Sequence, residues 1–271
     1  HLLTGVDIPE GVVSIGEFAF GNCISLARVD LPASVAELGN AAFSGCSDLA
    51  EVKLNAGNLT QVTSSAFSGC GLERITIPEG VEEIGASAFQ SCGRLSEVVI
   101  PESVSSIGDN AFLDCKSLLA VNIPKNVGVI GGQAFQGCAS LTAIEVDGLN
   151  QNYASAEGIL YSKDMAALVC CPAGKSGDAA VAAEVKKIEP YAFFGCAGLT
   201  GAALPEGVES IGMYAFSGCS GLREIALPDT VSAAGASVFQ GCGSLGKVKM
   251  SGNMPDVPSY FFSGCGSLGE I

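Results

Sequence analysis

Cysteine is the residue type in this chain that could do chemistry. There are twelve cysteines, and thiols can pair as disulfides, bind metal ions or act as nucleophiles. Ten of them occupy the same position of a repeated motif, Ala-Phe-x-x-Cys-x-x-Leu-x-x-Val-x-Ile-Pro: Cys23, Cys46, Cys70, Cys92, Cys115, Cys138, Cys196, Cys219, Cys242 and Cys265. Neighbouring copies could lie within disulfide range, but side chains that point the same way on successive coils are better suited to stacking. We therefore expect a ladder of buried free thiols, each behaving as a small hydrophobic residue.

The other two cysteines, Cys170 and Cys171, are adjacent in sequence. Strand alternation predicts Cys171 inside and Cys170 on the exposed side, so a redox or metal role at Cys170 is the alternative to one core and one surface cysteine. No Cys-x-x-Cys pair occurs and the only histidine is His1. These facts predict no metal, no cofactor and no Ser-His-Asp or Cys-His catalytic site, and the chain is not expected to be an enzyme.

Two further motifs lack the partners that their chemistry needs. Gly174–Ser176 resembles the end of a phosphate-binding loop, but the first glycine of that motif is replaced by Val169. Paired carboxylates such as Glu82 and Glu83 are not accompanied by other residues with which they could form a catalytic or metal site. Both are read as loop or solvated surface.

Composition excludes several kinds of partner. The net charge of −15 argues against nucleic acid and against anionic membrane surfaces, which need clustered Lys and Arg. No run of 18 or more apolar residues occurs, so this segment is not expected to insert into a membrane.

The spacing of the motif predicts the fold. The ten motif cysteines follow one another at 22 to 24 residues, except for one step of 58 between Cys138 and Cys196; such a period is typical of a solenoid. Val29 and Leu31 alternate with Asp30 as in a half-buried strand, Gly39 allows a tight bend, and residues 42–49 show helical spacing. We therefore expect an α/β leucine-rich-repeat solenoid of about twelve coils, with parallel strands on one face and short helical turns or irregular segments on the other.

The 58-residue interval predicts two degenerate coils within residues 147–188. The segment from Val169 to Pro172 fits the Val-x-Ile-Pro template and predicts a hidden rung, giving steps of 25 and 33 residues. A β-hairpin turning at Ser162–Asp164 is expected before it. We expect residues 1–271 to form one solenoid domain. Because the chain begins and stops in mid-repeat, it is expected to be a fragment whose signal and anchor segments lie outside it.

The repeat resembles the BspA-like leucine-rich repeats of bacterial surface and secreted proteins. The resemblance is carried by Leu-x-x-Val-x-Ile-Pro followed by Ile-Gly-x-x-Ala-Phe-x-x-Cys and covers essentially the whole chain. The interruption at Gly158–Asp164 and Cys171-Pro172 also looks like a variant unit of that family, in which two aromatic residues more often stand where Cys170 and Cys171 do. The resemblance implies an extracellular or cell-surface protein whose solenoid binds other proteins, in adhesion or host contact.

Recognition is expected on the outward positions of the strand face. Opposite charges on adjacent rungs predict self-complementary surface ladders, and a charged docking strip is the alternative. The candidate partner-binding residues are Arg28, Asp30, Glu51, Lys53, Arg74, Thr76, Val99, Asn122, Glu145, Tyr161 and Cys170. Expected partners are host extracellular-matrix or cell-surface proteins, bound by a monomer. The competing hypothesis is a passive spacer that projects another domain, which should tolerate deletion of residues 151–165.

Overall fold

The computed structural model of the chain describes residues 3–55 and 57–271. They form two compact units: the first comprises the chain up to Ser140 together with Asp147–Asn152, and the second comprises Leu141–Val146 and Tyr153–Ile271. Each unit is built from parallel β-coils, and no helix occurs among the described residues.

Each coil of the first unit contributes one longer strand and one two-residue strand. The longer strands, called the front strands, are β1 (Gly5–Asp7), β3 (Arg28–Leu31), β5 (Glu51–Leu54), β7 (Arg74–Thr76), β9 (Glu97–Val99) and β11 (Ala120–Ile123). The two-residue strands, called the rear strands, are β2 (Ser14–Ile15), β4 (Glu37–Leu38), β6 (Gln61–Val62), β8 (Glu83–Ile84), β10 (Ser106–Ile107) and β12 (Val129–Ile130). Sequence reasoning found the front strands but missed the rear ladder, which it treated as irregular.

The second unit repeats this plan around an antiparallel insertion. Its front strands are β13 (Ala143–Val146), β17 (Gly177–Ala180), β19 (Leu199–Ala203), β21 (Glu224–Ala226) and β23 (Lys247–Lys249). Its other strands form one six-stranded sheet in the order β14 (Tyr153–Ala156), β15 (Ile159–Ser162), β16 (Ala167–Cys170), β18 (Lys187–Ile188), β20 (Ser210–Ile211) and β22 (Ala233–Ala234).

The predicted helical turns are wrong, because two residues in each such segment have left-handed backbone. Ala41 has φ 53° and Gly45 has φ 75°, and no α-helix continues through such residues. Alternate N–H groups bond within the coil and between coils: Ser44 donates to the Ala41 carbonyl at 3.0 Å, whereas Phe43 donates to the Ala66 carbonyl of the next coil at 2.9 Å. The helical spacing of buried residues thus reflects successive turns that the next coil holds in place.

Most rear strands are followed by a glycine, and at Gly39 and Gly108 this glycine permits close approach of the preceding coil. A Cβ at Gly108 would lie 2.6 Å from the backbone nitrogen of Ala86 in the preceding coil, and Gly39 is crowded in the same way by Gly16 and Glu17. Neither glycine has positive φ. The predicted bend at Gly39 is present, because the Ala42 N–H donates to the Gly39 carbonyl at 3.2 Å, but it is the close approach of the preceding coil that requires glycine there.

The hidden rung predicted at Val169–Pro172 is also wrong. Strand β16 pairs in parallel with β18, with Leu168 opposite Ile188, so residues 167–170 belong to the rear ladder. The front strand of this coil is β17, where Ala179 lies opposite Ala202. The 58-residue interval is therefore one long coil of 35 residues from Ile144 to Ala179 and one regular coil of 23. Cys171-Pro172 resembles the Ile-Pro that ends a front strand in other coils. The actual front strand, β17, has neither large apolar residues nor a following proline.

The long coil contains two hairpins rather than one. The predicted turn after β15 is confirmed: the Ser162 hydroxyl donates to the Asp164 carboxylate at 2.6 Å, and β15 pairs antiparallel with β16. A further hairpin joins β14 to β15 through Glu157 and Gly158, whose φ values of 55° and 73° are those of a type I′ turn. Sequence reasoning missed this second hairpin because its strand Tyr153–Ala156 has no apolar alternation.

The core of each unit is a set of stacked rows. In the first unit six phenylalanines stack with centroid separations of 5.0–5.7 Å, from Phe20 to Phe135. In the second, the row runs from Phe193 through Phe216 and Phe239 to Phe262. Each ring is thus packed mainly against the same residue of a neighbouring coil, as expected for a solenoid.

Candidate interaction surface

The front strands of the first unit hold the predicted outward residues in two exposed rows. Alternation along each strand buries residues such as Val29 and Leu31 and exposes their neighbours. Parallel pairing then sets the rows in register, with Arg28 opposite Glu51 and Asp30 opposite Lys53. All predicted residues of this unit are exposed: Arg28, Asp30, Glu51, Lys53, Arg74, Thr76, Val99 and Asn122.

The charges in these rows pair with one another, which confirms the predicted ladders. Arg28 lies 3.7 Å from the Glu51 carboxylate and 2.8 Å from that of Asp30, and Arg74 lies 3.7 Å from Glu97. Because these side chains are about half exposed or more, each pair contributes little to stability. Breaking these ion pairs to form new ones with a partner protein therefore costs little free energy.

Asp30 stays ionised over a wide pH range. The hydrogen bond that the Arg28 guanidinium donates to its carboxylate holds the pKa of Asp30 below its usual value. The rows therefore present fixed positive and negative charges at neutral pH.

Of the three predicted residues in the second unit, Glu145, Tyr161 and Cys170, only Glu145 is exposed on a front strand. Glu145 is exposed, and its carboxylate accepts a hydrogen bond from the Ser155 hydroxyl at 3.2 Å. Tyr161 is wrong as a surface residue: it is fully buried, and its hydroxyl accepts a hydrogen bond from the Ala182 N–H at 3.4 Å. Strand β15 lies between β14 and β16 in the sheet, and three of its four residues are fully buried, so the hairpin contributes core rather than surface.

Cys170 is also misplaced by the sequence prediction. It lies in β16 of the rear ladder and is half-buried, and Cys171 takes the place that phenylalanine has in regular coils, with its N–H donating to the Ala192 carbonyl at 2.7 Å. Burial raises the pKa of Cys170 to about 12. A thiol with this pKa is protonated at neutral pH, whereas nucleophilic and metal-binding cysteines are thiolates.

Eight of the ten motif cysteines are buried as predicted, whereas Cys23 and Cys265 are partly exposed; the buried ones have a role that spacing did not reveal. All twelve cysteines are free. The thiol of Cys70 donates a hydrogen bond to the Phe43 carbonyl of the preceding coil at 3.1 Å, and Cys92 donates to Phe67 in the same way. Burial raises the pKa of Cys92 to about 12. The repeat position therefore needs a small side chain that is both apolar and a donor.

Sequence reasoning missed a recess on the front strands of the second unit. A cavity of about 380 Å³ lies over the small residues Gly201, Ala203 and Ala226, between acidic and basic side chains that include Asp178 and Lys249. In the sequence this recess corresponds only to small residues at outward positions of successive front strands, which do not by themselves predict a cavity.

The opposite charges expected beside this recess do pair. Lys247 lies 2.9 Å from the Glu270 carboxylate. Among residues 3–55 and 57–271, no group of three or more His, Cys, Asp and Glu side chains is arranged to hold a metal ion. The same residues include no helix with the length and hydrophobicity of a membrane span.

Comparison with known proteins relates the chain to leucine-rich repeat proteins. A family profile described as "BspA type Leucine rich repeat region" matches in six copies, over residues 1–67, 51–156 and 181–271. No curated protein matches the chain.

Three crystal structures resemble it. A leucine rich cell surface protein of Faecalibacterium prausnitzii is 28% identical, with a TM-score of 0.81 over 99% of this chain and 78% of that one. The pneumococcal vaccine antigen PcpA is 26% identical, with a TM-score of 0.82 over 96% and 73%. A leucine-rich repeat protein of Eubacterium ventriosum is 25% identical, with a TM-score of 0.68 over 99% and 66%.

Proposed function

Because the chain belongs to the BspA-type leucine-rich repeat family, we propose that it is a non-catalytic module that binds other proteins in adhesion by an extracellular bacterial protein. The observation that supports this most is the group of exposed charged side chains on the front strands of the first unit, from Arg28 to Glu97. Alternating charges on stacked parallel strands are suited to electrostatic recognition of a protein surface.

The extracellular assignment is supported by two of the similar structures. One similar structure is a cell surface protein and another is a vaccine antigen. We propose host extracellular-matrix or cell-surface proteins as partners and a monomer as the working form. The net charge of −15 supports a protein partner over nucleic acid.

The non-catalytic part of the proposal is supported by the state of the side chains that do chemistry elsewhere. Burial keeps thiols such as Cys92 and Cys170 protonated, and the single histidine, His1, lies outside the described residues. Nucleophilic catalysis needs a thiolate or a base beside the nucleophile.

Charge reversal on the front strands tests the binding site. We expect Lys53→Glu combined with Arg74→Glu to weaken capture of the chain by immobilised fibronectin, laminin or collagen at least tenfold, because loss of attraction and new repulsion both act at the contact. Binding is measured by surface plasmon resonance at low and at physiological salt.

The matched control reverses charge elsewhere on the same unit. Lys116→Glu changes the same charge on an exposed residue that lies in a turn rather than on a front strand, and Lys116→Glu with Lys125→Glu matches the double variant in net charge. Equal loss of binding in both double variants would mean that overall charge, not this surface, governs binding. Unchanged binding by the front-strand variant would refute the proposed site.

The alternative function is a passive structural spacer that projects another domain from the cell surface. It is favoured by the internal pairing of the same charges, Arg28 with Glu51 and Arg74 with Glu97. A spacer should keep full attachment of cells when Lys53 and Arg74 are reversed in the full-length protein, whereas an adhesion module should not.

Deletion of residues 151–165 cannot separate the two functions. Ile159, Leu160 and Tyr161 are fully buried, so the deletion would remove core from the second unit. The expectation that a spacer tolerates this deletion is therefore wrong, and surface substitutions are the usable test.

A further inference from the structure

The rear ladder of the first unit is interrupted between its second and third strands. Strand β2 pairs with β4, and β6, β8, β10 and β12 form one sheet, but in the described part of this unit β4 is not hydrogen-bonded to β6. The step from Leu38 to Val62 is 24 residues, whereas Ile84, Ile107 and Ile130 follow one another at 23. One extra residue in a coil thus accompanies a gap in the ladder.

The residue after β6 also departs from the repeat. Thr63 stands where most coils have glycine, and its hydroxyl donates to the Gly39 carbonyl at 3.0 Å. In regular coils the glycine N–H makes the inter-coil bond, as Gly108 does to the Ile84 carbonyl at 2.7 Å. At the gap, the hydrogen bond between the two coils is therefore made by a side-chain hydroxyl instead of a backbone N–H.

A cavity lies at this gap. Its volume is about 390 Å³, and half of its lining residues are glycine or apolar: Ile15, Gly16, Ala36, Leu38 and Gly39. The polar lining residues are Ser14, Glu37, Thr60, Gln61 and Thr63. Its size falls in the range of small-ligand sites, which is about 300–1,000 Å³.

The lining favours one class of ligand. Hydroxyl, amide and carboxylate groups together offer donors and acceptors, as the hydroxyls of a sugar require. No Lys or Arg lines the cavity, which disfavours an anion. Glu37 is its single carboxylate, too few for the six to eight oxygen ligands that Ca²⁺ takes.

We propose that this cavity binds a neutral sugar, a mono- or disaccharide unit of a glycan. Glu37 accepts hydrogen bonds from two sugar hydroxyls, and Gln61 and Ser14 complete the set. The site is separate from the front-strand surface of the proposed function, because it lies on the rear strands of the same unit.

Titration of the isotope-labelled chain with neutral saccharides tests the proposal. The probes are glucose, galactose, N-acetylglucosamine and their disaccharides, followed by amide chemical shifts in NMR spectra. We expect at least one probe to shift signals of residues 14–16, 36–39 and 60–63 with saturation. Glu37→Gln should weaken this binding roughly tenfold, because a hydrogen bond to a charged group is replaced by a neutral one.

Glu83→Gln is the matched control, because Glu83 has the same position in a coil of the uninterrupted sheet and does not line the cavity. Ala36→Leu provides a second variant that narrows the cavity without removing a polar group, and it should also weaken binding. Shifts that remain equal in Glu37→Gln and Glu83→Gln would overturn the proposal. So would an absence of saturable shifts with every saccharide, or shifts with Ca²⁺ alone.

Discussion

Tyr161 and Cys92 show how position in the coil decides what a reactive side chain can do. The Tyr161 hydroxyl is enclosed and takes part in one hydrogen bond with backbone, and the Cys92 thiol donates to a carbonyl of the neighbouring coil. Both groups could have served function at a surface. Inside the coils they satisfy buried backbone, which otherwise costs about 1–3 kcal/mol for each unpaired group.

Truncation of Tyr161 should therefore destabilise the second unit. We expect Tyr161→Ala to lower the free energy of unfolding by about 3–5 kcal/mol, since a large buried ring is removed. Tyr260→Ala is the control, because Tyr260 is 72% exposed, and it should change the free energy little. Urea unfolding followed by circular dichroism measures both, and equal losses would contradict the burial of Tyr161.

At the scale of the coil, stacking rather than local conformation selects residues. The rear ladder requires glycine where two backbones meet, and the turn segments require left-handed residues such as Ala41 and Gly45. Neither requirement produces a helix or a strand signal within one coil. Both come from the neighbouring coil, whose carbonyl groups accept every second N–H in the turns.

A pair of glycine substitutions separates stacking from local backbone preference. Gly108→Ala should lower the free energy of unfolding of the first unit by about 1–3 kcal/mol, because the added Cβ meets backbone of the preceding coil and forces a shift. Gly16 has the same position in its own coil, but no atom lies within 4 Å of a Cβ there. Gly16→Ala should be neutral or slightly stabilising in the same urea titration. A similar cost at both sites would rule out inter-coil crowding as the cause.

At the scale of the whole molecule, two distributed properties stand out: the net charge of −15 and the rows of buried thiols. Eight thiols have pKa values raised above the ordinary one: Cys70, Cys92, Cys115, Cys170, Cys171, Cys196, Cys219 and Cys265. These thiols ionise less readily in the folded chain than in the unfolded chain. Each of them therefore lowers the free energy of unfolding as the pH rises.

Stability should consequently fall in alkali. Unfolded Cys92 loses its proton near pH 9.0, whereas in the folded chain burial raises the pKa to about 12. The stability that Cys92 contributes is complete below pH 9 and is lost as pH rises from 9 towards 12, at up to about 1.4 kcal/mol per pH unit. Urea unfolding at a series of alkaline pH values measures the slope.

Cys92→Ala distinguishes this effect from general alkaline titration. The variant should be less stable at neutral pH, because a buried group is removed, but its stability should fall less steeply above pH 9. Parallel curves for the variant and the unchanged chain would show that Cys92 does not drive the loss.

Spacing and alternation in the sequence were enough to predict the repeat, most of the buried rows and the charges that face outward. Val29 and Leu31 alternate with Asp30 within one strand, and the motif cysteines recur at a fixed step, so their burial could be read from spacing alone. That residues 1–271 form one solenoid domain and are a fragment of a longer protein stays a prediction.

The folded structure was needed to reveal the rear ladder, the absence of helix in the described residues, the true rung at Ala179 and the cavity beside Glu37. Each depends on hydrogen bonds or close approach between residues about one coil apart, which local periodicity does not record. The Cys-Pro of the long coil fits two places in the repeat equally well by residue type. The pairing of Leu168 with Ile188 shows that the strand before it belongs to the rear ladder. As a result, Tyr161 lies in the interior and Cys170 lies in the rear ladder, and neither is on the recognition surface.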